Sequence, residues 1–453
     1  MRFLNNTMDK KDLFKGISGH SESKVFIEWA ASVLTILFFL LVTVGSYVKI
    51  KTVLVIVYSL IAAVLVLFAL KQSIRDFLSS PLLYLWMAYC LVGLLSTVLF
   101  SKEKDFYILI SEVSFTWILF VLTRFQESSR FFVLFRIFVA LLVFAAIFQE
   151  ITGIYVFAFL KEKTVFAVTD NEHGILSIFE YRHYFGCFLL LAFFSLFWFP
   201  EKQKWLTAFY GGLFFVALVL TYTRSIWIAA MVGLILGLIR WVAVRHALGK
   251  GRDKSSWNKP GIRTWITLCA VAITLAILAL IFREEIVLVI QRVIGRFTVL
   301  NPNQGSWFNR MFTIVNGPKY VFENWQKYLF IGAGSGSALE WLKNAEGARF
   351  RSAIDCQYVH TFIENGLIGL LLLLGMIGYS LVRFFKSKDR KEVLFSLVFV
   401  MIAVSFFFYE VIVVNSSVYA LWVFVLVSLC HSPKAKSSIE SGGTHAPGGI
   451  VEG

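Results

Sequence analysis

Residues 183–244 read HYFGCFLLLAFFSLFWFPEKQKWLTAFYGGLFFVALVLTYTRSIWIAAMVGLILGLIRWVAV. Three apolar runs, 183–200, 204–222 and 224–244, follow one another across short polar gaps. Each is about 20 residues long, the length at which a helix crosses a bilayer core of about 30 Å. This stretch therefore predicts three consecutive membrane-spanning helices.

Working outward, comparable runs recur along nearly the whole chain: 25–47, 52–70, 80–100, 105–123 and 131–150 before it, and 263–282, 359–382, 392–410 and 414–431 after it. The composition agrees. Hydrophobic residues make up 58% of 453 positions and charged residues 16%, whereas a soluble globular chain is nearer half apolar and a quarter charged. The expected fold is an all-α integral membrane protein of about 12 transmembrane helices. A net charge of +15 does not point to nucleic acid, because the basic residues cluster in short loops between apolar runs. Arg240, Arg245, Lys250, Arg252, Lys254, Lys259 and Arg263 form one cluster; Arg383, Lys386, Lys388, Arg390 and Lys391 form another. By the positive-inside rule these loops and both termini are cytoplasmic. Residues 1–24 are then a polar cytoplasmic segment with no cleavable leader, and 25–282 carry helices one to nine. Residues 283–358 form one large extracytoplasmic loop, 359–431 carry helices ten to twelve, and 432–453 are a Ser/Gly-rich, disordered tail.

The large loop is not a plain linker. Ile286, Ile290, Val293 and Phe297 recur at helical spacing between Arg283 and Val299, and Arg292 and Arg296, four apart, share another face. A second amphipathic stretch, Trp307 to Trp325, carries Arg310, and a Gly-rich turn, Ile331 to Gly336, follows. Arg182 and Arg224 open the helices at 183–200 and 224–244 on the same, outer, side. Arginine at an outer boundary runs against the positive-inside trend. Taken singly, each reads as an arginine snorkelling to a lipid headgroup; several on one face read as an anion site. A diphosphate is the natural ligand, because planar guanidiniums donate in pairs to phosphate oxygens.

Acid–base candidates are Asp355, His360, Glu364, Glu180, His183 and His173. Glu364 lies one turn into the tenth run, where a carboxylate is costly unless paired or neutral. No Walker motif is present, Asp170-Asn-Glu172-His173 is a poor metal signature, and the five cysteines form no CxxC or Cys/His cluster. No cofactor is expected.

The run Asp355-Cys-Gln-Tyr-Val-His-Thr-Phe-Ile-Glu-Asn-Gly-Leu-Ile-Gly369 resembles the late motif of the O-antigen polymerase and ligase superfamily. Thr221-Tyr-Thr-Arg-Ser225, Tyr181-Arg-His-Tyr-Phe185 and Phe330-Ile-Gly-Ala-Gly334 resemble three further elements of that family, in the same order, over about 182–382. The resemblance implies a GT-C-like glycosyltransferase of the bacterial cytoplasmic membrane, metal-independent and inverting, with its site facing the exterior. It implies a glycan on undecaprenyl diphosphate as donor and a glycan or lipid-linked acceptor. Membrane lipid and a chain-length regulator are the implied partners. Arg182 and Arg224 would bind the diphosphate and stabilise it as leaving group, with Asp355 as the third catalytic residue. Arg292, Arg296, Arg310, Tyr358, His360 and Glu364 would bind substrate. Ligases place a histidine where this chain has Asp355, which favours repeat-unit polymerisation over transfer to lipid A core. A membrane transporter is the reading from another class, since twelve spans with both ends inside is also a carrier layout.

Overall fold

A computed structural model describes residues 21–47, 57, 80–100, 106–152, 177–179, 181–249, 291, 305–346, 354–409, 412 and 417–430. The regular structure among these residues is helical, with no strand. In chain order the helices are α1 (Ser21–Tyr47), α2 (Pro81–Phe100), α3 (Phe106–Phe125), α4 (Ser128–Thr152), α5 (Arg182–Trp198), α6 (Lys204–Leu220) and α7 (Arg224–Gly249). They continue with α8 (Gly305–Glu323), α9 (Trp325–Tyr328), α10 (Ser337–Asn344), α11 (Gln357–Lys386), α12 (Arg390–Ser405) and α13 (Ser417–Cys430). Within α1, α2, α4, α7 and α11 lie five stretches long and apolar enough to cross a membrane. The protein is α-helical and membrane-embedded. The expected spans 52–70 and 263–282, the arginine-bearing helix 283–299 and the tail 432–453 lie outside the described residues, Val57 and Gln291 excepted.

The helices are packed as lipid demands. In α2 the inward face carries Trp86, Tyr89, Gly93, Ser96 and Thr97, all buried. Leu91 and Leu99 point out, 55% and 60% exposed, while Leu82 and Leu83 at its start are buried. Small and hydroxylated residues therefore meet other helices while aliphatic ones meet hydrocarbon, since burial of leucine from lipid brings no hydrophobic gain. Ser32, Thr35 and Thr43 in α1 return their hydroxyls to carbonyls four residues back, at 2.8, 2.9 and 2.7 Å. At the centre α13 is buried from Ser417 to Leu429. Phe424 is its hub, with ring centroids 4.9 Å from Phe131 and 5.5 Å from both Phe39 and Phe395.

The two ends of the bundle differ. One is sewn with ion pairs. The Arg136 side chain, 1% exposed, donates to Glu201 at 2.7 and 2.8 Å, to the Phe199 carbonyl at 2.8 Å and to Ser195 at 3.2 Å. Arg130 pairs with Glu28 and Arg383 with Glu392, and Arg240 caps α11 by donating to the carbonyls of Phe384 and Ser387. The other end, where α5 and α7 begin, holds the sequence candidates.

At that end α11 is broken. Gly366 has φ 65° and ψ −164°, outside helical geometry. The freed backbone groups are taken up by the segment after α9. Leu367 N–H donates to the Leu329 carbonyl at 2.8 Å and Ile368 N–H to that of Phe330 at 3.0 Å; Ala333 and Gly334 N–H donate to the carbonyls of Ile363 and Glu364 at 2.8 and 3.0 Å. α2 joins in, Ser96 donating to the Glu364 carbonyl at 2.8 Å and Thr97 accepting from Ser335 N–H at 3.0 Å. The tenth apolar run is thus two half-helices, not one span from 359.

The first half also folds back. Leu85 lies against Gly375 and Ser96 against Glu364, beside the break, so α2 and α11 run antiparallel between these points. On a straight helix, Thr361 and Tyr89 would stand about 15 Å apart along the axis. Their hydroxyls are 3.3 Å apart. Residues 357–365 therefore dip back beside α2.

Only glycine fits at the crossing. A Cβ on Gly332, at φ +79°, would fall 2.3 Å from the Glu364 carbonyl oxygen. Gly332→Ala should lower stability by at least about 2 kcal/mol, the left-handed backbone and the collision both contributing. Gly378→Ala, where a Cβ meets nothing within 4 Å, should melt like the parent in thermal unfolding of the membrane-reconstituted protein. Equal melting of all three would show that the close approach carries no energy.

Candidate functional site

Arg182 and Arg224 each head a helix, and those helices touch in their first turns. A Cβ on Gly186 would fall 2.5 Å from the Ile226 side chain, so α5 and α7 start side by side. The entry to α7 is set by an unusual turn. Tyr222 has φ 48°, a left-handed conformation that a bulky residue rarely adopts. The Trp227 indole N–H holds the turn, donating to the Leu218 carbonyl at 2.8 Å. The strained residue stands immediately before the Thr223-Arg224 pair.

The turn after α12 gathers the other groups. Phe406 carbonyl accepts from Gln357 N–H at 2.8 Å, which fixes the start of α11. Phe408 carbonyl accepts from Arg310 Nε at 2.9 Å, and the Arg310 guanidinium lies 5.6 Å from the Phe408 ring centre. Tyr409 stacks on the ring of His183, centroids 3.9 Å apart, and its hydroxyl is 3.4 Å from Cys187 Sγ. Arg310 is within electrostatic range of His183, Asp355 and Cys356. Burial pulls the Arg310 pKa below its ordinary value, and Asp355 then Cys356 oppose that. Tyr358 packs on Phe407, centroids 4.5 Å apart, and donates to the Ala403 carbonyl at 2.8 Å. Four residues of one turn thus tie α5, α8 and α11 to the end of α12.

No protein-family model and no curated protein matches this chain. What the end of the bundle can do rests on its own chemistry.

His360 and Glu364 belong to a different group. Glu364 Oε1 accepts from His360 Nε2 at 2.9 Å and from Gly336 N–H at 2.8 Å. The carboxylate is paired, as its place in an apolar run requires. Behind it stands Glu112 of α3, which hydrogen-bonds Cys90 and lies in electrostatic range of Glu364 and His360. Thr361, between Tyr89 and Gln357 at 3.3 Å each, closes the group. Glu112 was legible in principle, since it is the one acidic residue in the apolar run 106–125 and such charges are functional candidates by default.

The sequence candidates therefore divide. Asp355 and Arg310 share one electrostatic neighbourhood with His183; Arg182 and Arg224 head the adjoining helices α5 and α7; His360 and Glu364 pair with each other against the Gly-rich turn. Arg292, Arg296, Glu180, Asp170, Glu172 and His173 lie outside the described residues. Among the described residues no group of three or more His, Cys, Asp and Glu could hold a metal ion.

Glu364 separates charge from geometry. Glu364→Ala strands the His360 and Gly336 donors and should cost about 2–4 kcal/mol. Glu364→Gln keeps an acceptor oxygen and should cost about half as much or less. Thermal unfolding of the two variants compares them; equal losses would mean that the charge, not the hydrogen bonding, holds the turn to α11.

Proposed function

We propose that the protein is a membrane glycosyltransferase that polymerises repeat units carried on undecaprenyl diphosphate, at the outer face of a bacterial cytoplasmic membrane. One observation carries the reading: the helices headed by Arg182 and Arg224 begin side by side, at the end where the turn 406–409 holds Arg310 and His183. Arginines at the first positions of two adjacent helices suit the two phosphates of a lipid diphosphate, since planar guanidiniums donate in pairs to phosphate oxygens. The ion-paired end, with Arg240 and Arg383, is then cytoplasmic, in keeping with the positive-inside rule.

In this reading the acceptor hydroxyl oxygen attacks the anomeric carbon of the donor as the bond to the diphosphate oxygen breaks. The bonding pair leaves on the diphosphate, where Arg182 and Arg224 stabilise it. The hydroxyl proton passes to Asp355, beside Arg310. Single displacement inverts the anomeric centre, and the diphosphate supplies the activation without metal or nucleotide. Arg292 and Arg296 add positive charge from the loop, Tyr358 borders the acceptor, and a chain-length regulator is the protein partner. Ligation of finished glycan to lipid A core uses the same donor chemistry with a different acceptor.

A transporter is favoured by one observation, the broken helix α11 with Glu112, His360 and Glu364 beside it. Carriers place such breaks near the bilayer midplane. Here Leu367 to Lys386 alone extends about 30 Å, enough to cross the core, which supports a break at its boundary rather than its midplane.

Replacing Arg224 with alanine in the producing strain decides between these. Loss of one donor to the leaving group should slow transfer about 10²-fold or more, so single lipid-linked repeat units accumulate. Long unattached chains would identify a ligase instead. Normal polymer in the Arg224→Ala and Arg182→Ala strains would overturn glycosyl transfer.

A further inference from the structure

Away from the arginines, a pocket of about 330 Å³ opens between the end of α2, α8, α9 and α10. Its wall is aromatic. Tyr320 lies between Tyr328 and Trp341, with centroids 5.9 Å away on both sides and ring planes tilted by 30° and 32°. Phe100 meets Tyr328 edge-on at 5.6 Å. Opposite chemistry lines the same space: the Ser337 hydroxyl, the Glu340 carboxylate and the Asn344 amide, spaced along α10.

We propose that this pocket is a saccharide-binding site that takes one or two sugar rings. A pyranose has apolar C–H faces and a rim of hydroxyls, and so needs flat aromatic surface and several hydrogen-bonding groups together. Both are present, and the volume sits at the low end of the range of about 300–1,000 Å³ for small-ligand sites. The hydrogen-bonding inventory is matched to hydroxyls: the carboxylate accepts, the amide donates and accepts, and the serine oxygen, whose proton goes to the Gly334 carbonyl at 2.6 Å, accepts. A carboxylate in the lining also disfavours acidic sugars at that position.

A quaternary ammonium is the nearest competitor, since aromatic rings beside a carboxylate also attract cations. The ring geometry argues against it. A cation is enclosed by faces set at steep angles around a point, whereas the ring planes of Tyr328 and Trp341 differ from that of Tyr320 by only 30° and 32°. A cation would also make no use of the amide or hydroxyl. The site reaches the buried group through the Gly-rich turn: Gly336 N–H meets Glu364, and Ser337, the next residue, lines the pocket. The inference concerns binding, and it does not depend on the transfer reaction proposed above.

The test uses the full chain in nanodiscs of phosphatidylethanolamine and phosphatidylglycerol, which present neither sugar nor choline headgroups. It is probed on an array of neutral and acidic oligosaccharides from bacterial surface glycans, with the hits titrated by tryptophan fluorescence. At least one neutral glycan should bind, and Trp341→Ala and the isosteric Glu340→Gln should each weaken it tenfold or more. Lys319→Ala, on an exposed residue of α8, should bind as the parent does, and the thermal melting of all variants checks their folding. Arg224→Ala should retain glycan binding even where transfer is lost, so failure of the two proposals can be told apart. Absence of binding across the array, binding indifferent to both pocket variants, or displacement by choline would overturn the assignment.

Discussion

Everything at the candidate end of this protein depends on one constraint: a backbone that leaves helical geometry near a bilayer must find other partners for its polar groups. The break at Gly366 meets it in full. Two amide groups and two carbonyls released from α11 are taken up by residues 329–334. Left unmet, each would cost about 1–3 kcal/mol, and more in hydrocarbon. The exchange works only because Gly332 and Gly366 let two backbones approach to within the space of a Cβ. That approach brings the Gly-rich turn to Glu364, sets α10 beside α2 and turns residues 357–365 back into the bundle.

The rest of the packing supports that arrangement from behind. α12 and α13 form a buried aromatic core, and α12 ends at Ser405, where its turn reaches Gln357, Arg310 and His183. The opposite end is held by charge, with Arg136 satisfied by one carboxylate, one hydroxyl and one carbonyl. One end is thus held by ion pairing and the other is shaped by turns, strained residues and aromatic contacts. The contrast is that of a scaffold and the surface it presents.

Much of the membrane architecture was legible in the sequence. Length and apolarity marked the helices from α1 to α7 closely, because a span's defining property is composition over about 20 residues. The second amphipathic stretch, expected at Trp307 to Trp325, is α8 followed by the single turn α9. Other features were not legible, for physical reasons. The break at Gly366 follows the polar pair Glu364-Asn365, but that pair reads equally well as a site residue and its neighbour, and a glycine there as a packing residue. The division of Asp355 from His360 and Glu364 arises from the fold-back of residues 357–365, which composition does not encode. Glu112 was visible as an isolated acid, but its neighbours Cys90, His360 and Glu364 come from other helices. The saccharide-type pocket left no local trace, since Phe100, Tyr320, Tyr328 and Trp341 meet only in space.

The partners of the break also have an order in time. Ser96, Thr97 and residues 329–335 all precede Gly366 in the chain, so they have left the ribosome before the half-helix that needs them. Leu367 to Lys386, long and apolar, can enter the membrane as an ordinary span. Residues 357–365 can then settle against a template already made, with the turn 406–409 closing over them last. The half-helix that needs these partners is thus the later of the two to be made.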